Sequence, residues 1–115
     1  MTSKEYFQRA LWLDREIAGC INEEARLKEI QHGNERIAPL LKKLRAETEE
    51  LIRRKEEVRE VIDALPKRNE QMVMRCRYLL GMKWEDIAAE LDVDPKTARR
   101  WHNAALEHAV IPEKK

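Results

Sequence analysis

Along the middle of the chain, apolar residues return at alternating intervals of three and four. Ile37, Leu44, Leu51, Val58 and Leu65 fall seven residues apart, with Leu41, Thr48, Lys55 and Ile62 between them. That alternation is the seam of a coiled coil, where two positions per heptad face a partner helix. A helix lying on an ordinary globular core would follow a 3.6 period and a wider stripe. Thr48 and Lys55 are polar seam positions, which cost stability and can fix register or partner number. Upstream, Tyr6, Ala10, Leu13, Ile17, Cys20 and Leu27 mark a helix over residues 3–31, with Glu24 interrupting its seam. Ser3 can cap that helix, and Glu5 in its first turn suits the helix dipole.

The break between these helices falls at "QHGNERIAP". Gly33 fits a C′ position because it reaches positive φ without a Cβ clash. Pro39 fits a first turn or a kink. Both helices are about 40 Å long at 1.5 Å per residue. Matched helices with a short connection predict an antiparallel hairpin over residues 1–65. A lone hairpin buries little, so a second copy of the chain is the expected partner. Leu41, Leu44, Leu51, Val58 and Ile62 are then the expected oligomerisation residues of a homodimer.

Pro66 ends the second helix, because the residue before proline avoids the helical region. A helix over about 68–80 follows, with Asn69 as its candidate cap. Val73, Cys76 and Leu80 share one of its faces, and Met72 and Met74 read as core or near-core. Gly81 closes it. "MKWEDIAAEL" reads as a short helix with Trp84, Ile87, Ala88 and Leu91 at core spacing. After "DVD" a last helix runs from Pro95 to about Ala109, and a charged tail, "EKK", ends the chain. No strand pattern and no repeat appears, and three glycines and four prolines leave little room for turns. The expected class is all-α: a helical hairpin at 1–65, then a three-helix domain at 66–115. Trp12 fits either the hairpin core or an exposed contact.

The last helix has a free face. Asp94-Pro95 is a helix start, with aspartate accepting orphan N–H groups and proline at N1. At 100° per residue, Ala105 and Ala109 lie within about 20° of Ala98, with Trp101 and His102 flanking that inward face. Lys96, Arg100, Asn103 and Glu107 fall opposite, with Arg99 at the margin. Small residues inward and Lys, Arg, Arg and Asn outward are what the second helix of a helix-turn-helix needs. Arginine can pair with guanine, and asparagine with adenine, through two hydrogen bonds each. Pro95, Lys96, Thr97, Arg99, Arg100 and Asn103 are the candidate DNA-binding residues.

Overall charge adds little to that picture. The chain carries 23 Lys/Arg against 22 Asp/Glu, net +1. Residues 1–65 hold 13 basic against 14 acidic residues, and residues 66–115 hold 10 against 8. A case for nucleic acid therefore rests on where charges sit. Cys20 and Cys76 are far apart and read as two reduced, partly buried thiols. The N-terminus "MTSKEYFQRALW" is no signal peptide, and no apolar run approaches the roughly 20 residues of a membrane span. A cytosolic protein without membrane contact is expected.

The stretch from Leu65 to Leu106 resembles region four of bacterial RNA polymerase sigma factors. It looks closest to small phage and prophage transcriptional regulators of the ArpU type. The resemblance rests on Leu65-Pro66, Arg77-Tyr78, Gly81, Trp84-Glu85, Ile87-Ala88, Leu91, Arg100, His102 and Ala105-Leu106, and covers about 40 residues. Two features depart from the pattern. Lys83 stands where the family usually has a capping Ser or Thr, and Asp92 and Asp94 bring negative charge near the groove. The resemblance implies sequence-specific binding of double-stranded DNA and transcriptional control, with RNA polymerase as a further candidate partner. The promoter-melting regions of a full sigma factor are absent, so an autonomous sigma factor is not expected.

No enzyme is expected: the sequence has no phosphate-binding glycine loop and no nucleophile–histidine arrangement. No cofactor is expected either. His32, His102 and His108 do not form a metal set, because six residues between the last two is poor helical spacing for shared ligation. His102 is expected to pack against the helix or reach a phosphate. Two rival readings are a coiled-coil adaptor that does not touch DNA and the small subunit of a phage DNA-packaging machine.

Overall fold

The computed structural model of the chain describes residues 1–31 and 33–112. His32 and the tail at 113–115 lie outside the described residues, and so do the readings given to them above. Five α-helices follow one another: α1 (Ser3–Glu29), α2 (Ile37–Asp63), α3 (Arg68–Met74), α4 (Trp84–Leu91) and α5 (Pro95–His108). A π-helical turn, Arg75–Leu79, continues α3. There is no strand among the described residues, so the expected all-α class holds, a long helical pair preceding shorter helices. No helix among them is long and apolar enough to cross a membrane.

The chain forms two compact units, and α1 and α2 contribute to both. One unit is Trp12–Lys55; the other joins Met1–Leu11 to the chain from Glu56 onward. The second unit thus takes in the end of α2, upstream of the boundary expected at Pro66.

In the unit Trp12–Lys55 the helices run antiparallel. Arg45 Nε donates to Glu24 Oε1 at 2.7 Å, and Lys55 Nζ is paired with Asp14. Leu13, Ile37, Leu41, Leu44 and Leu51 are buried between the helices. Thr48 is buried with them, and its hydroxyl donates to Leu44 O at 3.0 Å, so its own helix satisfies it. Glu24 does not break the seam but edges it. The Arg45 guanidinium, and behind it Lys28, hold the Glu24 carboxyl below its usual range. Gly33 has φ of 76°, yet α1 ends at Glu29, so Gly33 serves the loop and not the C′ position expected of it. Pro39 sits in the first turn of α2, as expected.

The other unit begins with a cap that sequence reading put one residue too late. Thr2, not Ser3, caps α1: Glu5 N–H donates to Thr2 Oγ1 at 3.1 Å and the Thr2 hydroxyl donates to Glu5 Oε1 at 3.0 Å. This reciprocal pair is a capping box. Two turns later Phe7, absent from the expected core, is fully buried, with its ring 4.9 Å from that of Tyr78. Tyr6 meets Phe7 edge-on at 5.2 Å and donates its hydroxyl to Glu57 at 2.8 Å. Burial, then Glu57, push the Tyr6 phenol well above its ordinary value. Ile62, Val73, Met74 and Ile87 complete the fully buried apolar set.

Three expectations for α3 are corrected. Its N-cap is Lys67, which makes no side-chain cap bond, so Asn69 lies inside the helix. The π turn then inserts an extra residue: Leu80 N–H bonds to Arg75 O at 3.0 Å, five residues back. The register slips by one, so Leu79 turns inward and Leu80 is 68% exposed instead of sharing the inner face with Val73 and Cys76. Met74 is fully buried, but Met72 is 41% exposed and is not core. Gly81, with φ of 67°, ends the turn while Met82 N–H reaches Cys76 O at 3.0 Å. Gln71 Nε2 donates to Leu65 O at 2.8 Å and Arg75 pairs with Asp63 at 2.6 Å, tying α3 to the end of α2.

Phe7→Ala should cost about 3–5 kcal/mol, the range for truncating a buried aromatic. Denaturant unfolding followed by fluorescence measures this. A loss near zero would place the first turns of α1 outside this unit's core.

Candidate nucleic-acid interface

α4 and α5 are joined by Asp92-Val93-Asp94. Val93 N–H bonds to Ala88 O at 3.0 Å and Asp92 N–H to Ala89 O at 3.3 Å. This double closure is a Schellman motif, and it requires a left-handed residue at C′. Asp92 fills that place at φ 53° and ψ 49°. Asp94 then caps α5 by accepting from Lys96 N–H at 2.8 Å, with Pro95 opening the helix. Its charge is thereby engaged with the backbone. Lys83 precedes α4 without a side-chain cap, and Glu85 and Asp86 supply the favourable charge in its first turn.

Ala98 and Ala105 are fully buried, and Ala88 and Ile87 are buried on α4. Small side chains let the two helices close on each other. The geometry leaves Pro95, Lys96, Arg99, Arg100 and Asn103 exposed, while Thr97 is half-buried. Among the described residues no ion pair holds Lys96, Arg99 or Arg100. Arg99 is nonetheless engaged: its guanidinium lies over the Trp84 ring at 5.9 Å. Lys96, Arg100 and Asn103 therefore form the open row. The five expected oligomerisation residues, Leu41, Leu44, Leu51, Val58 and Ile62, are all buried within the single chain.

An aromatic cluster carries α5. His102 stacks on Tyr78 with ring centres 5.6 Å apart and meets Trp84 edge-on at 4.8 Å. His102 Nε2 lies 2.6 Å from the Tyr78 hydroxyl. Burial, opposed by a hydrogen bond to Asn103 and helped by the Arg77 and Lys4 charges, pulls the His102 pKa below its ordinary 6.5. Burial also pushes the Tyr78 phenol up to about 12. Both groups are therefore neutral near pH 7, and the phenol donates to Nε2. Of the two roles expected for His102, packing is the one the geometry gives it. Arg77 completes the cluster, lying over Trp84 at 5.1 Å and donating to Met82 O at 2.9 Å.

Sequence reading missed a second brace. Glu70, on α3, is fully buried, and His108 Nδ1 at the end of α5 lies 2.8 Å from its Oε1. Nothing local signals this pair, because its members are 38 residues apart. Cys20 and Cys76 are free thiols, and burial raises the Cys76 pKa. Among the described residues, no three His, Cys, Asp or Glu side chains converge as a metal site.

Residues 55–108, just under half of the chain, match the family described as Sigma-70, region 4. The match begins where the second compact unit takes over α2, and it ends with α5. These residues form a sigma region-four-like helix-turn-helix, a DNA-binding fold. Comparison with curated proteins found no match, and neither did comparison with solved structures.

The lowered His102 pKa predicts a pH dependence. The folded state resists a proton that the unfolded chain accepts near 6.5, so the stabilisation is complete above that pH and fades as pH falls below it. Between about pH 7.5 and about pH 5.5 the melting temperature should fall, and His102→Gln should fall less over the same range. Parallel curves for parent and variant would remove His102 from the acid response.

Proposed function

We propose that the chain is a sequence-specific regulator of transcription that reads double-stranded DNA with α5. The observation that carries this reading is the open row of Lys96, Arg100 and Asn103 on a helix locked from behind by alanines and the aromatic cluster. In a helix-turn-helix the first turns of the second helix enter the major groove. Arg100 and Asn103 stand in the second and third turns, where base edges come within reach. Lys96, beside the Asp94 cap, suits a phosphate. Pro95, Thr97 and Arg99 complete the surface, Arg99 from its seat on Trp84.

The finer parts of the proposal lean on the resemblance to ArpU-type regulators. The protein acts in the cytoplasm, is phage or prophage encoded, and works as a homodimer formed through the hairpin. RNA polymerase is its second partner, and it performs no catalysis. With a near-neutral chain, non-specific attraction to phosphate is weak. Direct contacts to bases then carry a larger share of the affinity, and Asp92 subtracts from it.

Sites selected from random duplexes provide the test. Arg100→Ala should cost about 1–3 kcal/mol on the preferred site and relax preference at one base pair. Lys96→Ala should weaken all duplexes alike and reduce the salt slope by about one counterion. If folded Arg100→Ala binds the selected site as the parent does, α5 does not read bases through this residue. If no duplex is bound at any salt concentration, the adaptor reading replaces this one.

A further inference from the structure

The unit Trp12–Lys55 has no fully excluded side chain. Leu13, Ile37, Leu41 and Leu44 keep 6% exposure, and Leu51 and Thr48 keep 9%. Two helices in one layer cannot surround a residue; a further layer is needed. An open groove of about 720 Å³ lies along one face of this unit. Its floor is Gly19, Cys20, Ala46 and Leu51, residues small enough for another helix to approach closely.

The face around the groove carries a heptad pattern of its own. On α1, Trp12, Glu16, Gly19, Glu23 and Arg26 alternate by four and three, and Ile30 continues the series. On α2, Leu40, Lys43, Glu47, Glu50 and Arg54 do the same. Trp12, Ile30 and Leu40 are all exposed despite their size. This is a seam without a partner.

We propose that a second copy of this chain covers the groove, with the two-fold axis running along the hairpin. The proposal rests on the self-association reading above and names its surface. Charge and level select this occupant. Asp14 with Lys55 and Glu24 with Arg45 define which residues of α1 and α2 are level. On that scale Glu16 is level with Arg54, Glu23 with Lys43, and Ile30 with Leu40, each to within about one helical turn. Among the described residues, neither Glu16, Glu23 nor Lys43 has an ion-pair partner, and Arg54 has only Glu50 at 3.8 Å. A two-fold along the hairpin sets α1 of one copy over α2 of the other and preserves level. Each acid then meets a base and Ile30 meets Leu40, twice over. The face from Trp12 to Ile30 is about 27 Å long and two helices, about 20 Å, wide. That footprint, on the order of 500 Å² before side-chain relief, approaches the roughly 600–1,000 Å² per partner of stable dimers.

The test measures mass by sedimentation, with helicity as the folding control. The parent should show twice the 13.7 kDa of one chain. A side chain added at Gly19 meets nothing within 4 Å in its own chain. Gly19→Arg should therefore keep its helicity and weaken the dimer at least about tenfold by filling the groove, while Gly19→Ala should not. Arg54→Glu should also weaken the dimer about tenfold, and Glu16→Arg added to it should restore it, as oppositely charged partners across an interface do. A parent of single-chain mass at every concentration would overturn this proposal and the self-association reading together. A dimer unaffected by Gly19→Arg, or a charge swap without rescue, would overturn the groove alone and leave self-association through another face.

Discussion

Tyr78 is the point on which the helix-turn-helix unit turns. Its ring packs on Phe7 from α1 and stacks on His102 from α5, and its hydroxyl bonds the same histidine. It can meet both because the π turn Arg75–Leu79 rotates it inward. A regular helix would carry Leu80 to the core and shift Tyr78 away. The extra residue costs one well-formed turn and leaves a leucine in water. In return, one side chain joins the start of the chain to its DNA-reading helix. Such π turns recur where function needs a side chain re-aimed.

The candidate site was legible where the signal was local. Asp94-Pro95, the inward alanines and the outward basic row all lie within one helix, and the structure has Ala98 and Ala105 buried with Lys96 and Arg100 exposed. The long helices were legible for the same reason, since a period of three and four survives over many turns. What escaped was non-local. Phe7 next to Tyr6 cannot be distinguished from a flanking residue until Tyr78 is known to arrive. Glu70 looks like any surface acid until His108 covers it. The π turn has no periodic signature, so an even helical count put Leu80 inside and Leu79 out. Thr2 escaped because a serine one residue later satisfied the same rule.

The supports of α5 differ in chemistry along its length. Its first turn is held by a carboxylate on backbone N–H groups, its middle by stacked neutral rings, and its end by a buried carboxylate on a histidine. The outward side chains are thus free of structural duty, with Arg99 the exception. A helix whose exposed row has no packing task can change that row without changing the fold. Within one scaffold, specificity can then vary by substitution at Arg100 or Asn103, while the alanines beneath cannot be enlarged.

The burial of Phe7 against Tyr78 also bears on how the chain is made. An emerging chain exposes its N-terminus first, and domains generally fold in that order. Here the first eleven residues belong with the last to be synthesised. α1 can pair with α2 as soon as both have left the ribosome, but Phe7 waits for Tyr78 to follow. Until then an aromatic pair, Tyr6 and Phe7, stands uncovered at the leading end. The DNA-reading unit closes as one of the final acts of synthesis, when both ends of the polypeptide are available to each other. An N-terminal fusion would therefore be grafted directly onto the unit that handles DNA, however distant the two ends look in the sequence.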